Sequence, residues 1–282
     1  MTLDFVKMEG IGNDFLMLDD MDGRIEKKGY GELAKRLCDR RFGVGGDGLI
    51  VAVPSTSCDI GFRIFNSDGS EPEMCGNGMR CFAAFVKMRG FLNATRFTVE
   101  TKAGVIVPEL VKEFDEGVVH VCVDMGEPVL SPNEIPVNLD GEAIVNHPVA
   151  ACGREFQITC VSMGNPHAVI VVDRLTGEEP VTFGPKLETL EIFPEKTNVE
   201  FVEIVSDSEV KMHVWERGAG ETLACGTGAC ATAVACHLLG HTGREVTIHL
   251  KGGDLKLFWR ESDNHILKTG PARVVFTGSV AV

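Results

Sequence analysis

The chain of 282 residues carries 27 lysines and arginines against 41 aspartates and glutamates, a formal net charge of −14 at pH 7. That balance argues against nucleic acid or an anionic membrane as partner, since both need basic patches. Hydrophobic residues at 44% and charged residues at 24% match a globular protein long enough for one large or two ordinary domains.

No apolar run approaches membrane-spanning length. The opening stretch MTLDFVKMEGIGNDF lacks a basic region followed by an apolar core, so no signal peptide is expected. Ten cysteines without secretion point to reduced thiols in a cytoplasm. Their spacings, such as Cys75 to Cys81 and Cys225 to Cys230, form no CxxC pair, which leaves a metal site unsupported.

In chain order, Leu3 to Met8 and Phe15 to Leu18 read as strands around the turn at Gly10 to Asn13. Gly31 to Arg41 has helical spacing of Leu33, Ala34 and Leu37. Gly43 to Gly48 fits G-x-G-x-x-G, but a helix precedes it and the strand Leu49 to Val53 follows. A dinucleotide fingerprint needs the opposite order, so a loop near a ligand is the better reading. Phe62 to Phe65 alternates toward Asn66. Phe97 to Thr101, Val105 to Leu110 and Val118 to Val123 read as a β-meander, and Gly126 to Pro136 as a boundary. Further strands are expected at Ile158 to Ser162, Val169 to Val172, Asn198 to Val205, Val210 to Trp215, Val246 to Leu250, Leu255 to Trp259 and Ala272 to Phe276, with a short helix at Gly184 to Ile192.

One stretch is written twice. Asn66 to Gly78 (NSDGSEPEMCGNG) and Glu216 to Gly228 (ERGAGETLACGTG) each contain a Gly-bearing loop, a Glu four residues before a Cys, and Cys-Gly-x-Gly opening a helical run. The offset is constant (225 − 75 = 150; 221 − 71 = 150). The runs Met79 to Met88 and Ala229 to Leu239 have helical apolar spacing without Gly or Pro. Each thiol is therefore expected at a helix N-terminus, where the partial positive charge lowers a thiol pKa and open N–H groups can take a carboxylate. Taken singly, a Cys before a helix is more often a buried apolar residue. Packing alone, however, does not require the same Glu, Cys and Gly offsets in both halves. Cys75 and Cys225 are read as an opposed acid/base pair.

The helix after Cys225 is apolar almost all round, so the sheet of its half must wrap it. The expected fold is α/β (α+β): two pseudo-symmetric domains, each a curved, mostly antiparallel, barrel-like sheet around a central helix. A cleft between them would receive both helix N-termini.

At these residues the sequence closely resembles the diaminopimelate epimerase family. The match runs through MEGIGNDF at Met8 to Phe15, FNSDGSEPEMCGNGMRC, SMGNPH, ERGAGETLACGTGA and Gly270-Pro271-Ala272. The resemblance implies cofactor-independent epimerisation of LL-diaminopimelate to the meso form, for lysine and peptidoglycan synthesis. It implies an N-terminal domain of residues 1–123 plus 273–282 and a second of 124–272, and makes a homodimer plausible. By position it gives Cys75 and Cys225 as catalytic thiols and puts His167 and Glu216 where the family has groups that assist them. Asn13, Asn66, Asn165, Asn198, Glu216 and Arg217 become polar ligands of the substrate, and Gly76 with Asn77, and Gly226 with Thr227, the cradle for its α-carboxylate. Gly48 departs from the Gln that many bacterial members carry, so the side-chain contact to substrate implied at this position falls to the backbone if it is made at all. Outside the motifs, Asn13 and Asn165 would be turn residues, Arg217 and Glu216 a surface pair, and His167 a structural histidine. Two rivals remain: another cofactor-independent racemase of the proline or histidine type, and a non-catalytic amino-acid-binding or thiol redox protein.

Overall fold

The structure is a computed structural model that describes residues 1–26 and 29–282. The chain divides into two compact units, Met1–Asp124 with Thr269–Val282, and Met125–Lys268.

In the first unit, β1 (Thr2–Gly10) and β2 (Asn13–Asp19) form a hairpin that pairs Phe5 with Leu18 and Gly10 with Asn13. Helix α1 (Tyr30–Leu37) crosses to β3 (Gly48–Val53), which runs parallel to β2. The sequence reading carried α1 on to Arg41. It stops earlier because the glycine-bearing loop turns back: Val44 and Gly45 donate backbone N–H to Leu37 O, and Gly46 to Cys38 O. These donors satisfy the carbonyls a helix end leaves open. β4 (Ile60–Asn66) pairs antiparallel with β3 and leads into the first Cys loop. Helix α2 (Gly76–Arg89) follows and ends at Gly90, whose φ of 69° is the left-handed cap that glycine adopts freely.

The expected strand Val105 to Leu110 is two strands, β6 (Gly104–Ile106) and β7 (Glu109–Asp115), parted at Pro108. Proline has no N–H to give a ladder. β5 (Val99–Thr101) pairs with β6, and β8 (Val118–Asp124) with β7. The residues of α2 from Asn77 to Val86 are all buried. They lie against β1, β2, β3, β7 and β8, so the sheet wraps the helix.

The second unit repeats the plan. β9 (His147–Ala151), which the sequence reading missed, pairs with β10 (Arg154–Ser162), and β10 with β11 (Pro166–Val172). Its sequence HPVAA is short, half-exposed and carries a proline, so no alternation marks it. Helix α3 occupies Glu179–Glu188 rather than Gly184 to Ile192. Pro180 sits in its first turn, where a missing N–H costs nothing, and the Glu179 carboxylate accepts N–H bonds from Thr176 and Gly177. β12 (Asn198–Ile204) is parallel to β11; β13 (Glu209–Glu216) and the short β14 (Gly220–Thr222) follow antiparallel.

Helix α4 (Gly226–Leu238) is buried without a break from Gly228 to Cys236. It packs against β10, β11, β12, β13, β15 (Glu245–Leu250) and β16 (Gly253–Trp259). Its buried side chains are small, mostly Ala and Cys with Val234 the largest aliphatic one, so the strands can close on it from several sides. The last strand, β17 (Ile266–Ala281), pairs antiparallel with β1 from Thr2↔Ala281 to Glu9↔Arg273. Most pairings are antiparallel; β2–β3, β4–β5, β11–β12 and β13–β15 are parallel. The mixed α/β architecture with a sheet around a central helix in each unit is the one expected. Among the described residues no disulfide is formed, no cluster of His, Cys, Asp and Glu has a metal-site arrangement, and no helix is long and apolar enough to cross a membrane.

Candidate active site

Cys75 and Cys225 are the N-cap residues of α2 and α4. Both have extended backbones, φ/ψ of −139°/118° and −124°/112°, as an N-cap requires. The sulfur takes the part a Ser or Asp oxygen usually plays: Gly78 N–H donates to Cys75 Sγ and Gly228 N–H to Cys225 Sγ, each at 3.4 Å. Each thiol thus sits on the positive end of a helix, beside further N–H groups of the first turn. The expected runs began at Met79 and Ala229; the helices begin three residues sooner, so the Cys-Gly-x-Gly glycines are helical.

The repeated Glu is a loop anchor in both units. Glu71 pairs with Arg63, and its other oxygen lies 3.4 Å from Lys102 Nζ. Glu221 pairs with Lys251. Each ion pair ties the loop before the Cys to a neighbouring strand or turn.

Around Cys75 the structure gathers Asn13 and Asn77. Asn13 Oδ1 lies 3.8 Å from Cys75 Sγ and 3.4 Å from Asn77 Nδ2. Arg80, fully buried in α2, donates from Nη1 to Asn77 Oδ1 at 2.9 Å and from Nε to Pro271 O at 3.1 Å. Asn13 is held from below: its Nδ2 donates to Asp47 Oδ2 at 2.7 Å. Asp47 in turn pairs with Arg40 at 2.8 Å, and Arg40 and Lys7 both grip Asp14 at 2.6 Å. Burial pushes the Asp14 carboxyl up, but the hydrogen bonds from Arg40 and Lys7 outweigh it and hold it at about 2. The Gly43 to Gly48 loop therefore braces Asn13 through Asp47. Asn66 is placed differently, with its Nδ2 donating to Ser70 Oγ at 2.9 Å. A Cβ at Gly48 would lie 2.8 Å from Phe65 O, which explains why the backbone there carries no side chain.

The surroundings of Cys225 are acidic. Thr227 Oγ1 is 3.5 Å from its sulfur. The sequence reading expected a lowered thiol pKa here, and this is corrected. Burial first, then the Glu216 and Glu200 carboxylates, push the Cys225 thiol well above its ordinary value, against the opposing hydrogen bonds from Thr227 and the Gly228 N–H. A helix end worth about half a charge does not outweigh desolvation plus two nearby carboxylates.

Glu216 accepts a hydrogen bond from Thr222. Asn198 is buried and structural in its contacts: Nδ2 donates to Pro166 O at 2.8 Å, and Oδ1 accepts Arg217 N–H at 2.9 Å. The exposed Arg217 guanidinium reaches Glu195 O at 3.1 Å. His167 is fully buried, with Nδ1 2.7 Å from Glu200 Oε1 and Nε2 3.0 Å from Asn165 Oδ1. Glu200 and Asp47 were not singled out from the sequence. Matching the halves would have found Glu200, because Ile50 stands at the equivalent place (200 − 50 = 150).

Solved structures with the same fold include a phenazine biosynthesis protein and a hydroxyproline epimerase. The chain superposes on a Bacillus anthracis phenazine biosynthesis protein of the PhzF family with a TM-score of 0.70 at 17% identity, covering 100% of both chains. It superposes on a hydroxyproline epimerase from Agrobacterium vitis with 0.69 at 15%, covering 100% of this chain and 93% of that one. At such identities the likeness defines the fold. The particular family is defined by sequence: the diaminopimelate epimerase family model matches residues 5–131 and 159–275. The diaminopimelate epimerase of Desulforapulum autotrophicum is 54% identical over the full length of both chains, and that of Heliobacterium modesticaldum 51% identical over 99% of each. The chain belongs to the diaminopimelate epimerase family, and it is an isomerase.

Proposed function

We propose that the protein epimerises LL-2,6-diaminopimelate to meso-diaminopimelate without a cofactor, by proton transfer between two cysteines. The observation that carries this reading is the paired N-capping of two helices by Cys75 and Cys225, with a first-turn N–H on each sulfur.

One thiolate removes the α-proton and the other thiol delivers a proton to the opposite face of the same carbon; the roles reverse in the reverse direction. The Cys225 thiol, pushed up by burial and by Glu216 and Glu200, rests protonated and starts as the acid. In that direction the opposed Cys75 is the base. His167 and Glu216 assist the thiols.

An amino-acid α-proton is a very weak acid, so the developing carbanion needs stabilisation. The N–H groups of Gly76 with Asn77, and of Gly226 with Thr227, take the α-carboxylate at the two helix ends. Preorganised donors of this kind contribute roughly 3–4 kcal/mol each. Asn13, Asn66, Asn165 and Asn198 bind polar groups of the substrate. At the non-reacting end Arg217 grips the carboxylate and Glu216 takes the ammonium, so only one centre meets the thiols. Its product would serve lysine and cell-wall synthesis.

The test is incubation with LL-diaminopimelate in D2O, followed by mass spectrometry. Deuterium at one α-carbon with formation of the meso isomer supports the reading. Intact binding without label would mark a binding protein instead.

A further inference from the structure

The two units place different chemistry at the same point beneath their Cys-capped helices. β2–β3 and β11–β12 are parallel pairs in matching register, with Phe15 opposite Gly48 and His167 opposite Asn198. Two residues further along the second strand stand Ile50 and Glu200. Both lie under the first helical turn: a Cβ on Gly78 would be 2.8 Å from Ile50 Cδ1, and one on Gly228 would be 2.5 Å from Glu200 Oε1. The first unit thus buries Phe15 and Ile50 where the second buries His167 and Glu200. Phe15 is 3% exposed, and the others are 0% exposed.

The apolar pair shows that packing under this turn needs no polar group. A buried carboxylate is costly unless paired, and Glu200 is only half satisfied: Oε1 meets His167 Nδ1 at 2.7 Å, while Oε2 has no hydrogen-bond partner among the described residues. A costly group kept where a hydrophobic one fits marks a function. What it touches is the ring of His167, whose other nitrogen faces Asn165 at 3.0 Å.

We propose that Glu200 is a positioning residue for the isomerase: it accepts the Nδ1 proton of His167, fixes the tautomer and plane of the ring, and leaves Nε2 as an acceptor beside Asn165, whose amide turns its Nδ2 toward it. Burial pushes the Glu200 carboxyl up, and His167 is the group that opposes this, so the contact between the two is what holds Oε1 as the acceptor. This rests on the proposed role of His167 in the reaction.

The test combines ring nitrogen NMR with a double-mutant cycle. In protein with 15N-labelled histidine, His167 Nδ1 is expected to carry a proton. Glu200→Ile reproduces the first unit's residue, and His167→Phe with Glu200→Ile reproduces its pair, so both are built on a packing the fold already uses. With folding checked by circular dichroism and Tm, Glu200→Ile is expected to lower kcat about a hundredfold, the lower end of what a positioned acid–base group contributes, with little change in KM. His167→Phe should lose as much, and the double variant no more than either single one. Glu200→Gln keeps an acceptor without the charge; it should retain the Nδ1 proton and recover part of the rate. Losses that multiply in the double variant, or wild-type kcat in folded Glu200→Ile, would overturn the proposal. So would a wild-type spectrum with Nδ1 bare, even if the apolar variants fail to fold. That spectrum needs no turnover, so it decides on Glu200 even if the protein failed to epimerise diaminopimelate.

Discussion

Asn13 Nδ2 donates to Asp47 Oδ2 at 2.7 Å, and the other end of the same amide lies 3.8 Å from Cys75 Sγ. Asp47 also accepts the Asp14 backbone N–H at 3.1 Å. It therefore fixes both the Asn13 side chain and the turn that carries it. Asp47→Ala should leave the Asn13 amide free to rotate away from the sulfur. Expected are a rise of about tenfold in KM and a stability loss of about 1–2 kcal/mol, the size of one or two such bonds. Steady-state kinetics and urea unfolding check both.

The carboxyl of Asp14 gives an acid signature. It is held at about 2 by Arg40 and Lys7 against the upward push of burial. An unfolded Asp titrates near ~4, so between those values the unfolded chain binds more protons and stability rises with pH. The contribution is complete above the unfolded value and is lost as the pH falls through about 2. Tm followed from pH 5 to pH 2 should fall more steeply for the wild type than for Asp14→Asn, which should already be the less stable protein at pH 7.

Gly78 and Gly228 occupy the same position in the two helices, yet their substitution should differ. At Gly78 a methyl meets the end of a flexible Ile50 side chain at 2.8 Å. The helix propensity of Ala over Gly, up to about 1 kcal/mol, offsets that. At Gly228 the methyl meets Glu200 Oε1 at 2.5 Å and Cδ at 3.2 Å, on a side chain pinned to His167. Overpacking of this kind costs about 1–3 kcal/mol. Gly228→Ala should therefore be clearly destabilised and Gly78→Ala close to neutral in denaturant titrations.

The Cys225 thiol should react slowly. Burial, Glu216 and Glu200 hold its pKa well up, so little thiolate is present near neutral pH. Iodoacetamide labelling of Cys225, followed by mass spectrometry, should be slower than for a small-molecule thiol at pH 8 and should speed up as the pH rises. Glu216→Gln removes one of the opposing charges without opening the site, and should accelerate labelling severalfold. An unchanged rate would show that access alone limits the reaction.

Much of this was legible in the sequence because it rests on local rules. Cys-Gly-x-Gly before an apolar run is enough to put Cys75 and Cys225 on helix N-termini, and a helix apolar all round, like α4, forces a sheet to enclose it. The constant offset of 150 residues tied the two sites together. What stayed hidden depends on partners distant in the chain. Asp47 lies in a glycine-bearing loop, and only the fold brings it to Asn13, 34 residues away. Glu200 sits in a strand whose pattern NVEFVEI reads as ordinary alternation, and nothing local says that its side chain is buried against His167. The expected low pKa of Cys225 failed for the same reason: the helix end is local, but the burial of the thiol and the approach of Glu200 come from the fold.

The central claim is that two cysteines, one from each repeat of the motif, share one reaction. Its most direct measurement is the turnover of LL-diaminopimelate by Cys75→Ala and Cys225→Ala, each confirmed as folded. Loss of about a thousandfold or more in both variants is the predicted result, because each removes an acid or base that no neighbour replaces. Turnover within about tenfold of wild type in either one would contradict the two-cysteine mechanism.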